Sequence, residues 1–274
     1  MYRFVLAFSL IFVYAGSATR AEMVPYYIGV DGLTTIASGT YQGLANPNSN
    51  RLTLLYNHGD HYHAKGAFVY TGPNLGDDTQ VIGSPSYYLP EGAAAPFALT
   101  KGTGVFDGLY ISGQTPEVEG SDVQIGSVDA LAGAPAGSDE SILFNSGGGR
   151  WTTSLGDADL VIELVSATAG LSILDASGNS IFGGGSTYAL GLDGAGLNFA
   201  PIFAAAAGGD YVASFRLRDL TGGFGDSGVF EYRFQASVPE PASLVMSAIG
   251  GLVVSFMSLR NRLRNRRRNA QVLA

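Results

Sequence analysis

Hydrophobic and polar residues alternate strictly in two stretches near the end of the central region. Phe230-Glu231-Tyr232-Arg233-Phe234-Gln235 alternates aromatic and polar side chains without a break, the period of a half-buried strand. Tyr211 to Leu217 does the same, with Tyr211, Ala213, Phe215 and Leu217 on one face and Ser214 and Arg216 on the other. Between them, Thr221 to Gly228 carries Gly222, Gly223 and Gly225 beside Asp226, too many glycines for a long helix, and reads as a hairpin connection. Further strands are expected at Arg51 to Tyr56, Ala64 to Tyr70, Asp159 to Ser166 and Leu171 to Leu174. The run Leu160–Val165 is apolar apart from Glu163, which places it centrally in a sheet. Clusters at Asn46-Pro47-Asn48, Gly72-Pro73-Asn74, Gly147-Gly148-Gly149 and Gly183-Gly184-Gly185 punctuate these pieces. Asp77 to Ser141 has little periodicity and reads as irregular loops or short edge strands. Ala204 to Ala207 is compatible with a turn of helix ended by Gly208 and Gly209, and no run of ten or more residues in 22–237 has helical periodicity. Short strands broken by Gly and Pro predict an all-β fold, a β-sandwich of immunoglobulin-like or jelly-roll-like kind, rather than a parallel α/β sheet.

Composition agrees. There are 39 glycines, 14% charged residues and no cysteine, which excludes disulfides, thiolate metal sites and cysteine nucleophiles. The formal charge of −8 hides an asymmetry. Residues 22–237 carry seven basic against twenty-two acidic side chains, so this region repels nucleic acid and anionic lipid and attracts cations.

The two ends differ from the middle. Arg3 followed by an apolar run from Phe4 to Ala15 and small residues to Ala18 or Ala21 has the layout of a secretory signal peptide, residues 1–21. At the other end, Val238-Pro239-Glu240-Pro241-Ala242-Ser243 precedes an uncharged stretch from Leu244 to Leu259. Arg260, Arg262, Arg264, Arg266, Arg267 and Arg268 follow. The apolar stretch has the length of a short transmembrane helix, and the arginines would stay on the cytoplasmic side with the tail 269–274. The order Pro-Glu-Pro, apolar helix, arginine cluster resembles the PEP-CTERM sorting domain over residues 238–268. That resemblance implies an exosortase as processing partner and a cell-envelope or extracellular location for 22–237, anchored transiently or permanently by the C-terminal helix.

One segment carries candidate chemistry. All three histidines fall in Asn57-His58-Gly59-Asp60-His61-Tyr62-His63. If the chain turns at Gly59 and enters a strand, His61 and His63 share a face and His58 can return to meet them. Three neutral imidazoles suit zinc, copper or nickel and leave one tetrahedral position open. Asp60 is either a ligand or the acceptor that orients an imidazole N–H, and Glu163 is a remoter candidate helper or a solvent-facing strand residue. The same segment also reads as a polar turn or a pH-sensitive patch.

A second resemblance covers residues 26–236. Tyr26-Tyr27-Ile28-Gly29-Val30-Asp31, Gly39-Thr40-Tyr41, Asn46-Pro47-Asn48, Arg51-Leu52-Thr53-Leu54-Leu55, the His61-Tyr62-His63 segment, Trp151 and Glu163-Leu164-Val165-Ser166 resemble a PEP-CTERM family under the zinc uptake regulator. It implies zinc capture or sparing at the envelope, carried by the His-x-His pair. No enzymatic motif is present: there is no HExxH, no Gly-x-Ser-x-Gly, no phosphate loop and no calcium loop. The expectation is therefore a non-enzymatic surface protein that binds zinc. The competing reading is a structural or adhesive protein whose partners are exopolysaccharide or other surface proteins, through aromatic faces that no stretch locates.

Overall fold

The computed structural model describes residues 23–71, 79–82, 87–91, 96–113, 123–192, 197 and 199–237. The expected leader 1–21 and the sorting signal 238–268 lie outside them. Among the described residues no helix is long and apolar enough to cross a membrane.

The described chain is all-β. Its strands begin with β1 (Tyr26–Val30), β2 (Leu52–Asn57), β3 (Tyr62–Lys65), β4 (Phe68–Thr71) and β5 (Thr79–Ile82). Short strands follow: β6 (Tyr88–Leu89), β7 (Phe97–Lys101), β8 (Tyr110–Ile111) and β9 (Ile125–Ser127). The remainder are β10 (Asp159–Ala167), β11 (Leu171–Leu174), β12 (Thr187–Leu192), β13 (Ile202–Ala205), β14 (Gly209–Asp219) and β15 (Phe230–Ala236). The α-helix α1 (Asp139–Phe144) is a single short piece, capped where the Ser138 hydroxyl accepts from the Ser141 amide.

Two sheets hold all of these strands except β4 and β5, which pair with each other as a separate antiparallel ribbon. A four-stranded sheet runs β3-β2-β1-β9, and a nine-stranded sheet runs β11-β13-β8-β7-β15-β14-β10-β12, with β6 added beside β15. β14 and β15 form the expected antiparallel hairpin, from Phe215 opposite Phe230 to Gly209 opposite Ala236. β10 lies between β14 and β12, the central position its apolar run predicted. The sheets are mixed, because β1 pairs in parallel with β9, and β15 with both β6 and β7.

One core joins the sheets. Tyr26, Ile28, Val30, Leu52 and Leu54 from the small sheet pack with Leu160, Ile162, Phe215, Leu217, Phe230, Tyr232 and Phe234 from the large one. Each such buried aliphatic or Phe side chain is worth about 1.5–3 kcal/mol relative to exposure. The opposite face of the small sheet is covered too. Tyr27 and Leu55 pack there with Val128, Leu131, Leu143 and Trp151. That is why every residue of β1 is buried and why Trp151 belongs to the core. The covering segment is tied back by Arg150, whose guanidinium donates to the fully buried Asp31 carboxylate. Leaving a buried carboxylate without such a partner is strongly destabilising.

Two expectations are corrected. Ala64 to Tyr70 is two strands, β3 and β4, divided at Gly66 (φ +62°). Ala204 and Ala205 lie in strand β13 and not in a helical turn, because their small side chains are buried on opposite faces, Ala204 beside Phe106 and Ile111 and Ala205 in the main core.

Candidate metal centre

The histidines sit on the hairpin that joins β2 to β3. The registers Tyr56 opposite His63 and Asn57 opposite Tyr62 bring the strands to a tight turn. The His58 amide donates to the His61 carbonyl at 2.9 Å, and the Gly59 amide donates to the Asn57 side-chain oxygen at 2.8 Å. Gly59 takes φ +93°, the left-handed conformation that glycine adopts without penalty.

Alternation along β3 then sorts the side chains. Tyr62 and Ala64 face the second core, where Tyr62 meets Tyr27 edge-on at 5.9 Å between ring centroids. Burial pushes the Tyr62 phenol up, and its hydroxyl has no hydrogen-bond partner. His61, His63 and Lys65 therefore share the opposite face. His61 and His63 remain substantially exposed, at 47% and 40% of their side-chain surfaces, whereas Lys65 is only 3% exposed.

The three rings stand together, with centroids 5.1 Å apart for His58–His61, 5.0 Å for His58–His63 and 4.8 Å for His61–His63. The expected return of His58 across the turn is present. The imidazoles of His61, at the end of the turn, and His63, on β3, meet through Nε2, 2.9 Å apart. Each Nδ1 meets a carboxylate: His61 lies 2.6 Å from Asp60, and His63 lies 2.7 and 2.6 Å from the two oxygens of Glu91. Glu91 also holds the Lys65 ammonium at 2.5 Å.

This arrangement has an electrostatic consequence. When each Nδ1 carries its proton toward its carboxylate, both Nε2 atoms present lone pairs to one another. Two lone pairs at 2.9 Å repel, and a shared cation, either a proton or a metal ion, makes the contact favourable. Two nitrogens on a tetrahedral zinc would stand about 3.3–3.4 Å apart, so the pair needs to open by only about 0.4 Å. A carboxylate behind each ring is the kind of acceptor that fixes a histidine's tautomer, as outer acceptors do in known metal sites. The His61 hydrogen bond, chiefly, holds the Asp60 carboxyl below its ordinary value. For Glu91, burial acts against ionisation, but the hydrogen bonds and charges of Lys65 and His63 outweigh it and hold that carboxyl low.

His58 is not yet aimed at the same point. Its ring is nearly parallel to that of His63, with 7° between planes. In-plane lone pairs of two parallel rings run in separate planes and do not converge. Consistently, among the described residues no group of three or more His, Asp or Glu side chains is disposed to hold a metal ion. His58 lies exposed on the turn.

Asp60 thus lies behind His61, against its Nδ1. Glu163 serves a different cluster: its carboxylate accepts from Arg216 at 3.0 and 2.5 Å and lies 3.8 Å from Arg218. Sequence reasoning missed Glu91. It lies in the stretch without periodicity, and no spacing connects Pro90-Glu91 to the histidines. No protein-family model, curated protein or solved structure matches the chain.

Proposed function

We propose that the chain is an exported envelope protein, not an enzyme, that binds a transition-metal ion, zinc, at the β2–β3 hairpin. The reading rests on one observation: His61 Nε2 and His63 Nε2 face each other at 2.9 Å while Asp60 and Glu91 occupy both Nδ1 positions. In this reading His61 and His63 are ligands through Nε2, His58 swings in as the third, and Asp60 and Glu91 fix the rings from behind. Imidazole donors suit zinc, copper and nickel better than calcium or magnesium. The acidic balance of residues 22–237 favours cation capture outside the cell. The facing sheets read as a β-sandwich, carried out of the cytoplasm by the leader 1–21. The tail resembling a PEP-CTERM signal (Val238, Pro239, Glu240, Pro241, then the helix and Arg260, Arg262 and Arg264) would hand it to an exosortase.

The test is zinc uptake and thermal unfolding of the full chain in detergent, beside a His61→Ala/His63→Ala variant. The wild type should take up zinc stoichiometrically and gain about 2.7 kcal/mol at a free zinc concentration of about 100 Kd. The double variant should gain nothing. A wild-type chain that neither takes up zinc nor shifts its melting temperature would overturn the metal reading.

A further inference from the structure

A second site lies between the loop 36–48 and β4, where the surface opens into a cleft of about 330 Å³. None of its lining residues belongs to the histidine cluster. The loop is held in one shape by its own backbone: Ile36 N–H donates to Leu44 O, Gly43 N–H to Ile36 O and Asn46 N–H to Thr34 O, each at 2.9 Å. The floor is equally fixed. Asn48 uses both ends of its buried amide on the Phe68 backbone, accepting from N–H and donating to C=O at 2.7 Å each. Asn46 accepts from the Asn48 amide at 3.1 Å and donates to Leu33 O at 2.8 Å. The amides are spent on the fold, so the cleft is preformed and a ligand does not have to order it.

Its walls are aromatic. The Tyr41 ring on the loop and the Tyr70 ring on β4 stand 5.4 Å apart between centroids, inclined at 39°, and together form an open V. The Tyr70 hydroxyl donates to Ala45 O at 3.2 Å, which locks that ring in place. Ser38 and Thr40 line the cleft from exposed positions, which sets hydroxyls beside the aromatic faces. Amphipathic rings flanked by hydroxyls match a ligand with apolar C–H faces and a rim of hydroxyls, which is the surface of a pyranose.

Charge selects among sugars. Arg150 is the one charged residue among the lining residues, and its guanidinium is engaged by Asp31 and lies 4.4 Å over the Trp151 ring. Among the described lining residues Arg150 is thus the only cation and it is already paired with a carboxylate, and the acidic balance of residues 22–237 disfavours a polyanion such as a polyuronate or sulfated glycan. We propose that the Tyr41–Tyr70 cleft binds a neutral saccharide unit of a polysaccharide. This site does not depend on the metal reading.

The test is affinity electrophoresis of the full chain, in a detergent without a sugar headgroup, through native gels containing dextran, mannan, xylan or galactan, and alginate as the anionic control. At least one neutral polysaccharide should retard the wild type, with alginate inert. Tyr41→Ala and Tyr70→Ala should each weaken retardation by about tenfold, and Tyr70→Phe should retain it. Ser38→Trp, which plugs the cleft from its exposed rim, should abolish it, so the test survives if Tyr70→Ala does not fold. His61→Ala/His63→Ala should leave retardation unchanged, which separates this site from the metal site. The proposal fails if no neutral polysaccharide retards the chain, if alginate binds more strongly, or if a folded Tyr41→Ala variant behaves as wild type.

Discussion

Asp219 closes β14, and a single carboxylate there organises the whole connection to β15. One oxygen accepts from the Asp159 amide at 3.2 Å and the Thr221 amide at 2.9 Å, and the other accepts from the Gly223 and Phe224 amides at 2.8 and 3.0 Å. The Thr221 hydroxyl is 2.8 Å from both. Burial alone would raise its pKa, but these donors outweigh burial and hold the carboxyl below its ordinary 3.8. A carboxyl whose native value is depressed stabilises the fold above the unfolded value and loses that contribution as pH falls through the native one. Asp219→Asn replaces one accepting oxygen with an NH₂ that cannot accept from a backbone amide. It should cost about 1–3 kcal/mol at neutral pH. Urea titrations of both proteins at a series of pH values should show the gap narrowing once pH drops below 3.8. A gap that does not change with pH would mean that shape, and not the charge, is what this position supplies.

At the scale of elements, the break between β3 and β4 depends on Gly66. Its φ is +62°, and a Cβ there would lie 2.6 Å from the Gly228 carbonyl oxygen, while the Gly228 amide donates to the Gly66 carbonyl at 2.6 Å. Gly66→Ala adds backbone strain and a collision with rigid main chain, so it should destabilise by about 2 kcal/mol or more. Thermal unfolding checks this, and an unchanged melting temperature would show that the two backbones do not approach so closely. The same glycine explains what could be read in advance and what could not. Alternation within β14 and β15 is local and strict, so their hairpin was legible from Tyr211–Leu217 and Phe230–Gln235 alone. In Ala64 to Tyr70 the one local sign of a break is Gly66 itself, which marks a bulge as readily as a strand end, and the contact with distant Gly228 decides between them. Strands β6, β8 and β9 are two or three residues long, too short for a period, and are defined by partners far along the chain. The candidate site divides in the same way. The shared face of His61 and His63 follows from period-two geometry, whereas Glu91 arrives through the pairing of β6 with β15, which leaves no local trace.

That pairing gives the candidate site a role in the whole molecule. β6 belongs to the large sheet, and two residues beyond it Glu91 reaches across to His63 and the buried Lys65 on the edge strand of the small sheet. The histidine cluster thus stands where the exposed edge of one sheet is clasped by a segment hydrogen-bonded to the other. A metal ion on His61 and His63 would fix the rings whose Nδ1 atoms face Asp60 and Glu91, so its binding energy should act on the clasp as well as on the hairpin. Local openings that separate β3 from residues 88–91 remove the acceptor behind His63 and would weaken the ion's hold by about 10–100-fold, whereas openings elsewhere would not. Hydrogen exchange should therefore slow on zinc binding in both 58–65 and 88–91, by as much as about a hundredfold at a free zinc concentration of about 100 Kd. Openings in the middle of β14 should change less, and the His61→Ala/His63→Ala variant should show no zinc dependence anywhere. Protection confined to 58–63, with 88–91 exchanging as before, would show that Glu91 does not transmit the metal's hold from one sheet to the other.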